Sequence, residues 1–158
     1  MKLLTCWTPL RKCTVKKEQT RPSELNKQVG GAYYKTFKFQ PYEFFFIYQI
    51  PHHKAAIIRR ILRYRAPNKG LIDLQKILHE IDIIVELEDR DRDFKPRFRG
   101  CTKAMEFIKE NELIHPQATV ITKILSYDTY QGHGREDLLD IKKIVKVIIA
   151  EEYPSGGE

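Results

Sequence analysis

AYYKTFKFQPYEFFFIYQIPHHKAAIIRRILRYR, residues 32–65, is the stretch on which the fold turns. Nine of the chain's seventeen aromatic residues lie between Tyr33 and Tyr48. Over 32–39 the side chains alternate: Tyr34, Thr36 and Lys38 share one face, and Tyr33, Lys35, Phe37 and Phe39 the other. Gln40-Pro41-Tyr42 supplies a turn. Over 43–50, Phe44, Phe46, Tyr48 and Ile50 then line one face, with Phe45 and Ile47 opposite. The expected product is an aromatic β-hairpin, which is marginal alone and needs helices to cover its apolar face.

Pro51 suits a first helical turn, and 54–65 follow with helical spacing. Ile57, Ile58, Ile61 and Leu62 form the apolar stripe, with Arg59, Arg60 and Arg63 pointing away. The run 66–70, APNKG, stops that helix. A second begins with Asp73 as its cap, and Leu74, Ile77, Leu78, Ile81, Ile84, Val85 and Glu88 keep its period. The β-branched run over 81–87 leaves a strand open there, as does Thr119 to Thr122 within 117–125. A charged loop over 88–100, a short helix over 102–111 and a strongly apolar helix over 136–150 complete the reading. The expected architecture is α+β: an N-terminal hairpin packed against four or five helices. Residues 1–31 form a basic arm hinged at Gly30-Gly31, residues 32–153 a single domain, and residues 154–158 a frayed tail.

Charge is unevenly distributed. Residues 1–66 hold 14 Lys and Arg against 3 Asp and Glu, whereas residues 67–158 hold 14 against 18. The net charge of +7 therefore belongs to the first half. Such a localised field attracts a polyanion, or else marks a basic face packed near the chain's own acidic half. Single-stranded nucleic acid needs cations for phosphates and flat side chains for bases, and each stacked base adds roughly 1–3 kcal/mol. Tyr33, Lys35, Phe37, Lys38, Lys54, Arg59, Arg60, Arg63 and Arg65 supply both kinds, so they are the expected nucleic-acid-binding set. The ordinary alternative is that strand aromatics are core and helix arginines its wet face.

Other chemistries find less in the sequence. Asp89-Arg90-Asp91-Arg92-Asp93 opens like a calcium loop, but Phe94 stands where glycine is needed and Gly100 where a bidentate Glu is needed. Gly132-His133-Gly134-Arg135 precedes a helix whose Glu136 and Asp137 repel an anion. His52-His53 with Cys6 and Cys13 lack zinc spacing, and three cysteines without a CxxC fit a reducing compartment. No nucleophile, metalloprotease or phosphate-loop pattern occurs, so no catalytic residue, metal or cofactor is expected. No span reaches the length of a membrane helix and the first residues lack a secretory signal, so a cytosolic or nuclear protein is expected.

Lys123, Arg135, Asp137, Leu138, Asp140 and Ile141 carry a resemblance in the last third of the chain. The stretch VITKILSYDTYQGHGREDLLDIKKIV resembles the C-terminal helical tail of some bacterial nucleotidyltransferases. That family's catalytic core has two alternating carboxylates on a strand after a Gly-Gly or Gly-Ser turn; here Gly30-Gly31 is followed by aromatic residues and Glu43 alone. The order aromatic strands, basic helix, GLIDLQKILHEID is similar to the replication-enhancer proteins of geminiviruses, which are non-enzymatic partners of a replication initiator. The favoured expectation is a non-enzymatic nucleic-acid-binding accessory protein of a virus or mobile element. The alternatives are a nucleotidyltransferase relative using Lys123, Asp137 and Asp140, and a protein–protein adaptor docking through an exposed apolar face of the helix over 73–88.

Overall fold

The hairpin does not form. In the computed structural model, which describes residues 33–67, 69–90, 103–127 and 134–154, no strand occurs among the described residues. Tyr33–Thr36 is a turn of 3-10 helix, and Pro41–Ile47 is helix α1. The α+β expectation is therefore corrected to an all-helical body. The physical reason lies in EFFFIYQI, which is apolar at nearly every position and so fits a period of 2 and one of 3.6 equally well. What decides is the start: Pro41 occupies the first turn, where its missing N–H costs nothing, and Glu43 meets the positive end of the helix dipole. The helical period then puts Phe44 and Tyr48 on one side, with ring centroids 5.2 Å apart.

Five further helices follow among the described residues: α2 His52–Arg63, α3 Gly70–Arg90, α4 Ala104–Glu110, α5 Gln117–Ser126 and α6 Gly134–Glu152. Both ambiguous runs are helical, 81–87 inside α3 and 117–125 inside α5. Helix α2 packs on α3 and α5, and α6 packs on the same two, so the four close a ring around one core. Helix α4 leans on α5. Ile57, Ile58, Ile61 and Leu62 of α2 are fully buried against Leu74, Ile77 and Ile81 of α3, Val120, Ile121 and Ile124 of α5, and Leu138, Ile141 and Val145 of α6. Each such side chain contributes roughly 1.5–3 kcal/mol of burial. Phe44 seals the end of the core by stacking on Phe107 of α4 at 4.4 Å between centroids.

Helix ends are fixed by backbone geometry. After α1, Gln49 takes φ 50°, and the amides of Gln49 and Ile50 donate to the carbonyls of Phe46 and Phe45. After α4, Glu112 takes φ 53°, and the amides of Glu112 and Leu113 donate to Lys109 and Ile108. Both are Schellman ends with a side chain where glycine is the unstrained choice. Gly70, at the start of α3, is there for a close approach. A Cβ on it would collide with the carbonyl of Tyr64 and the ring of Tyr153, whose hydroxyl donates to that same carbonyl at 3.0 Å.

The arm 1–31, all three cysteines, the run 91–100 and His133 lie outside the described residues.

Candidate functional site

Of the nine residues expected to bind nucleic acid, most have their polar groups already engaged within the fold. Tyr33 is half-buried and its hydroxyl donates to the carbonyl of Leu62, the burial raising its pKa. Phe37 packs beside it, ring centroids 5.7 Å apart. Lys35 stands on the same 3-10 turn. Lys38 is exposed and ion-paired with Glu112, which lowers the pKa of that carboxyl. Lys54 is buried, 2% exposed, with its ammonium donating to the carbonyl of Tyr127 and lying 5.3 Å from that ring. The Tyr127 hydroxyl in turn donates to Glu88. A buried ammonium held this way braces α2 against the end of α5 and cannot reach a phosphate.

Three of the four arginines follow one rule. Arg60 pairs with Glu80, Arg63 with Asp73 and Arg65 with Glu152. Every one of these bonds joins the basic first half of the sequence to its acidic second half, as does Lys38 to Glu112. Arg63 is the best held: Nε donates to Oδ2 at 2.7 Å and Nη2 to Oδ1 at 2.8 Å of an Asp73 carboxylate that is 2% exposed. That hydrogen bond raises the guanidinium pKa further. Asp73, expected as a helix cap, is instead this buried partner inside the first turn of α3. Arg65 also lies 5.2 Å from the ring of Tyr64. Among the described residues Arg59 alone of the four has no acidic partner, and it is exposed.

Counted by segment, the net charge is unevenly placed. The described residues carry 17 Lys and Arg against 15 Asp and Glu, a balance of +2. Residues 1–32 carry 7 against 2, a balance of +5. The helical body is nearly neutral, and most of the excess belongs to the leading segment.

Lys123, Asp137 and Asp140 do meet. Lys123 Nζ lies 3.1 Å from Asp137 Oδ1 and 2.9 Å from Asp140 Oδ2, and Lys143 adds a second cation to Asp140 at 3.1 Å. Hydrogen bonds to both carboxylates raise the Lys123 pKa, and those to Asp140 lower the pKa of its carboxyl. The cluster is an ion-paired brace between α5 and α6, with the carboxylates already neutralised. No group of three or more potential metal ligands occurs among the described residues. None of the described helices is long and apolar enough to cross a membrane.

Two surface features lay beyond sequence reasoning. On α1, Tyr42 is 69% and Phe46 78% exposed, one turn apart on the outer face. On α3, Ile83 and Leu87 repeat that spacing at 40% and 55%, with Ile72 at 52%. The hairpin expectation had placed Phe46 on the same face as Phe44, so its exposure became visible only once the period was known. The second feature is a cleft of about 220 Å³ between the 3-10 turn and the α4–α5 connection, lined by Tyr33, Phe37, Lys38, Glu110, Glu112 and Leu113 among others.

The chain matches no protein-family model, no curated protein and no solved structure. Neither resemblance carried by its sequence therefore gains support from known proteins, and the functional reading rests on the molecule itself.

Proposed function

We propose that this chain is a non-enzymatic accessory protein that binds a protein partner through the apolar outer face of α1. The observation that carries this reading is the pair Tyr42 and Phe46, both more than two-thirds exposed and one helical turn apart. Single exposed apolar residues are ordinary on a surface, but two adjacent aromatic side chains on one short helix are the composition of an interface hot spot. Phe44, between them in sequence, is fully buried on Phe107, so α1 is anchored by one face and presents the other. The partner chemistry this face suits is an apolar groove or the apolar stripe of an amphipathic helix. Ile83 and Leu87 on α3 offer a second, less exposed apolar face.

The test is affinity capture with the parent chain, a Tyr42→Ser/Phe46→Ser variant and an Ile83→Ser/Leu87→Ser variant. Captured proteins are then purified and titrated directly against each form. The reading requires a direct partner whose affinity falls at least about tenfold on loss of the α1 pair. Equal affinity of parent and α1 variant for every direct partner refutes it.

A second reading keeps nucleic acid as the partner, and one observation favours it: residues 1–32 hold +5 of the +7 net charge. On this reading the polyanion is held by the leading segment with Arg59, while Arg60, Arg63 and Arg65 serve the fold. It is tested by the salt dependence described at the end of the Discussion.

A further inference from the structure

The cleft beside the 3-10 turn has a hydrogen-bonding inventory that selects its occupant. Its side-chain amide and hydroxyl donors are spent, which leaves the Lys38 ammonium as its one charged donor. The two N–H groups of Asn111 go to the carbonyls of Phe39 at 2.9 Å and Phe107 at 3.1 Å. Those of Gln117 go to Ile61 at 3.2 Å and Leu62 at 3.0 Å. The Tyr33 hydroxyl donates to Leu62, and Thr36 donates to the carbonyl of Tyr33 at 2.9 Å. Its carboxylates are only partly spent, on Lys38. Glu110 and Glu112 stand at the rim, both exposed, and Glu110 has no ion-pair partner among the described residues. The same cleft is lined by the aromatic residues Tyr33 and Phe37 and the aliphatic Leu113.

An anion would find two carboxylates and only Lys38 to hold it. A neutral polar ligand would find the side-chain amides and hydroxyls of the lining engaged elsewhere. A cation finds carboxylates and aromatic side chains, which attract it electrostatically and by cation–π contact. At about 220 Å³ the cleft is smaller than the roughly 300–1,000 Å³ of drug-sized ligand sites, so a single side chain is the right scale of occupant. Two rim carboxylates two residues apart favour a planar fork of donors over a compact ammonium, and a guanidinium also stacks on aromatic rings.

We propose that this cleft receives the guanidinium of an arginine presented by a protein partner, gripped by Glu110 and Glu112 and stacked against Tyr33 and Phe37. The proposal deepens the partner-binding reading, on which it rests, by naming one residue the partner must offer. Lys38 is the resident competitor. Its pair with Glu112 is exposed on both sides, 64% and 74%, and such pairs are held weakly enough for an arginine with extra contacts to displace.

The test uses the full chain, isotopically labelled, titrated with N-acetyl-arginine amide while the backbone amide resonances of Asn111, Glu112 and Leu113 are followed. N-acetyl-citrulline amide, the uncharged isostere, and N-acetyl-lysine amide are run beside it. The arginine probe is expected to shift these amides saturably with weak affinity, the lysine probe less and the citrulline probe not at all. Glu110→Gln/Glu112→Gln should weaken arginine binding by about tenfold or more, and Lys38→Gln should tighten it. All three positions are exposed, so thermal melts of the variants should match the parent. Equal shifts from citrulline, no saturation with arginine, or weaker arginine binding in Lys38→Gln would each overturn the proposal. Failure here with a Tyr42- and Phe46-dependent partner still captured sinks the arginine site alone. Arginine binding without any such partner sinks the partner-binding reading and leaves the cleft as a guanidinium site.

Discussion

Arg63 and Asp73 hold each other through two parallel hydrogen bonds of 2.7 and 2.8 Å, the guanidinium from the end of α2 and the carboxylate from the first turn of α3. Each charge also complements the dipole of its own helix. Because Asp73 is buried, its carboxylate depends on this partner. Arg63→Ala should cost about 2–3 kcal/mol, at the lower end for a broken buried pair because Arg63 itself is a third exposed. The Arg63→Ala/Asp73→Ala double variant should cost less than the two single costs added. Urea denaturation of the four proteins measures this; strictly additive losses would mean the pair is incidental.

Gln49 ends α1 in the left-handed region, where a side chain costs of order 1–3 kcal/mol. Gln49→Gly removes that strain and returns about 0.4–1 kcal/mol of it through greater freedom of the unfolded chain. The variant should therefore be more stable than the parent by about 0.5–1 kcal/mol. A lower melting temperature for Gln49→Gly would contradict the Schellman end of α1, which stands where the second strand of the hairpin was expected.

The end of α1 also shows what the sequence could and could not disclose. Helices α2 and α6 were legible because polar residues interrupt their apolar ones at helical intervals: Arg59, Arg60 and Arg63 in one, Lys142, Lys143 and Lys146 in the other. Over 43–50 almost nothing interrupts the aromatic run, so the period was undetermined and alternation was read where a helix forms. The charge asymmetry was legible, but its meaning was not. Arg63 and Asp73 are separated by the turn 64–69, and Arg65 and Glu152 by most of the chain. Only the packing of α2 against α3 and of the end of α6 near Tyr64 brings these opposite charges together. The rim of the cleft was equally hidden, since Lys38 and Glu112 meet only in the fold.

Tyr64 gives the fold an alkaline limit. Its side chain is buried and its hydroxyl lies 3.2 Å from Glu152 Oε1. Burial first, and the Glu152 charge second, push its pKa from 10.0 up to about 12, against the opposing charge of Arg65. The neutral phenol is the form the fold favours. Its contribution is complete below pH 10, where the unfolded tyrosine is still protonated, and is lost as pH rises through about 12. Phenolate absorbance should therefore show fewer tyrosines ionising near pH 10 in the folded parent than after unfolding, Tyr64→Phe should narrow that difference, and the same variant should flatten the alkaline loss of stability. Identical alkaline profiles for parent and variant would contradict this environment.

The claim that Arg60, Arg63 and Arg65 are spent on the chain's own acidic half is tested most directly by nucleic-acid affinity as a function of salt. Labelled single-stranded DNA is titrated with the parent, with Arg60→Gln/Arg63→Gln/Arg65→Gln, and with Arg11→Gln/Lys12→Gln/Lys16→Gln/Lys17→Gln. The logarithm of the binding constant falls with that of salt concentration by roughly 0.7 per phosphate neutralised on a single strand, so the slope counts cations in contact. If the parent shows any salt-dependent binding, the α2 variant should melt at a lower temperature yet keep the parent's slope. The leading-segment variant should lose slope. A slope that drops by about 2 in the α2 variant while it remains folded would place those arginines on phosphates and contradict the account.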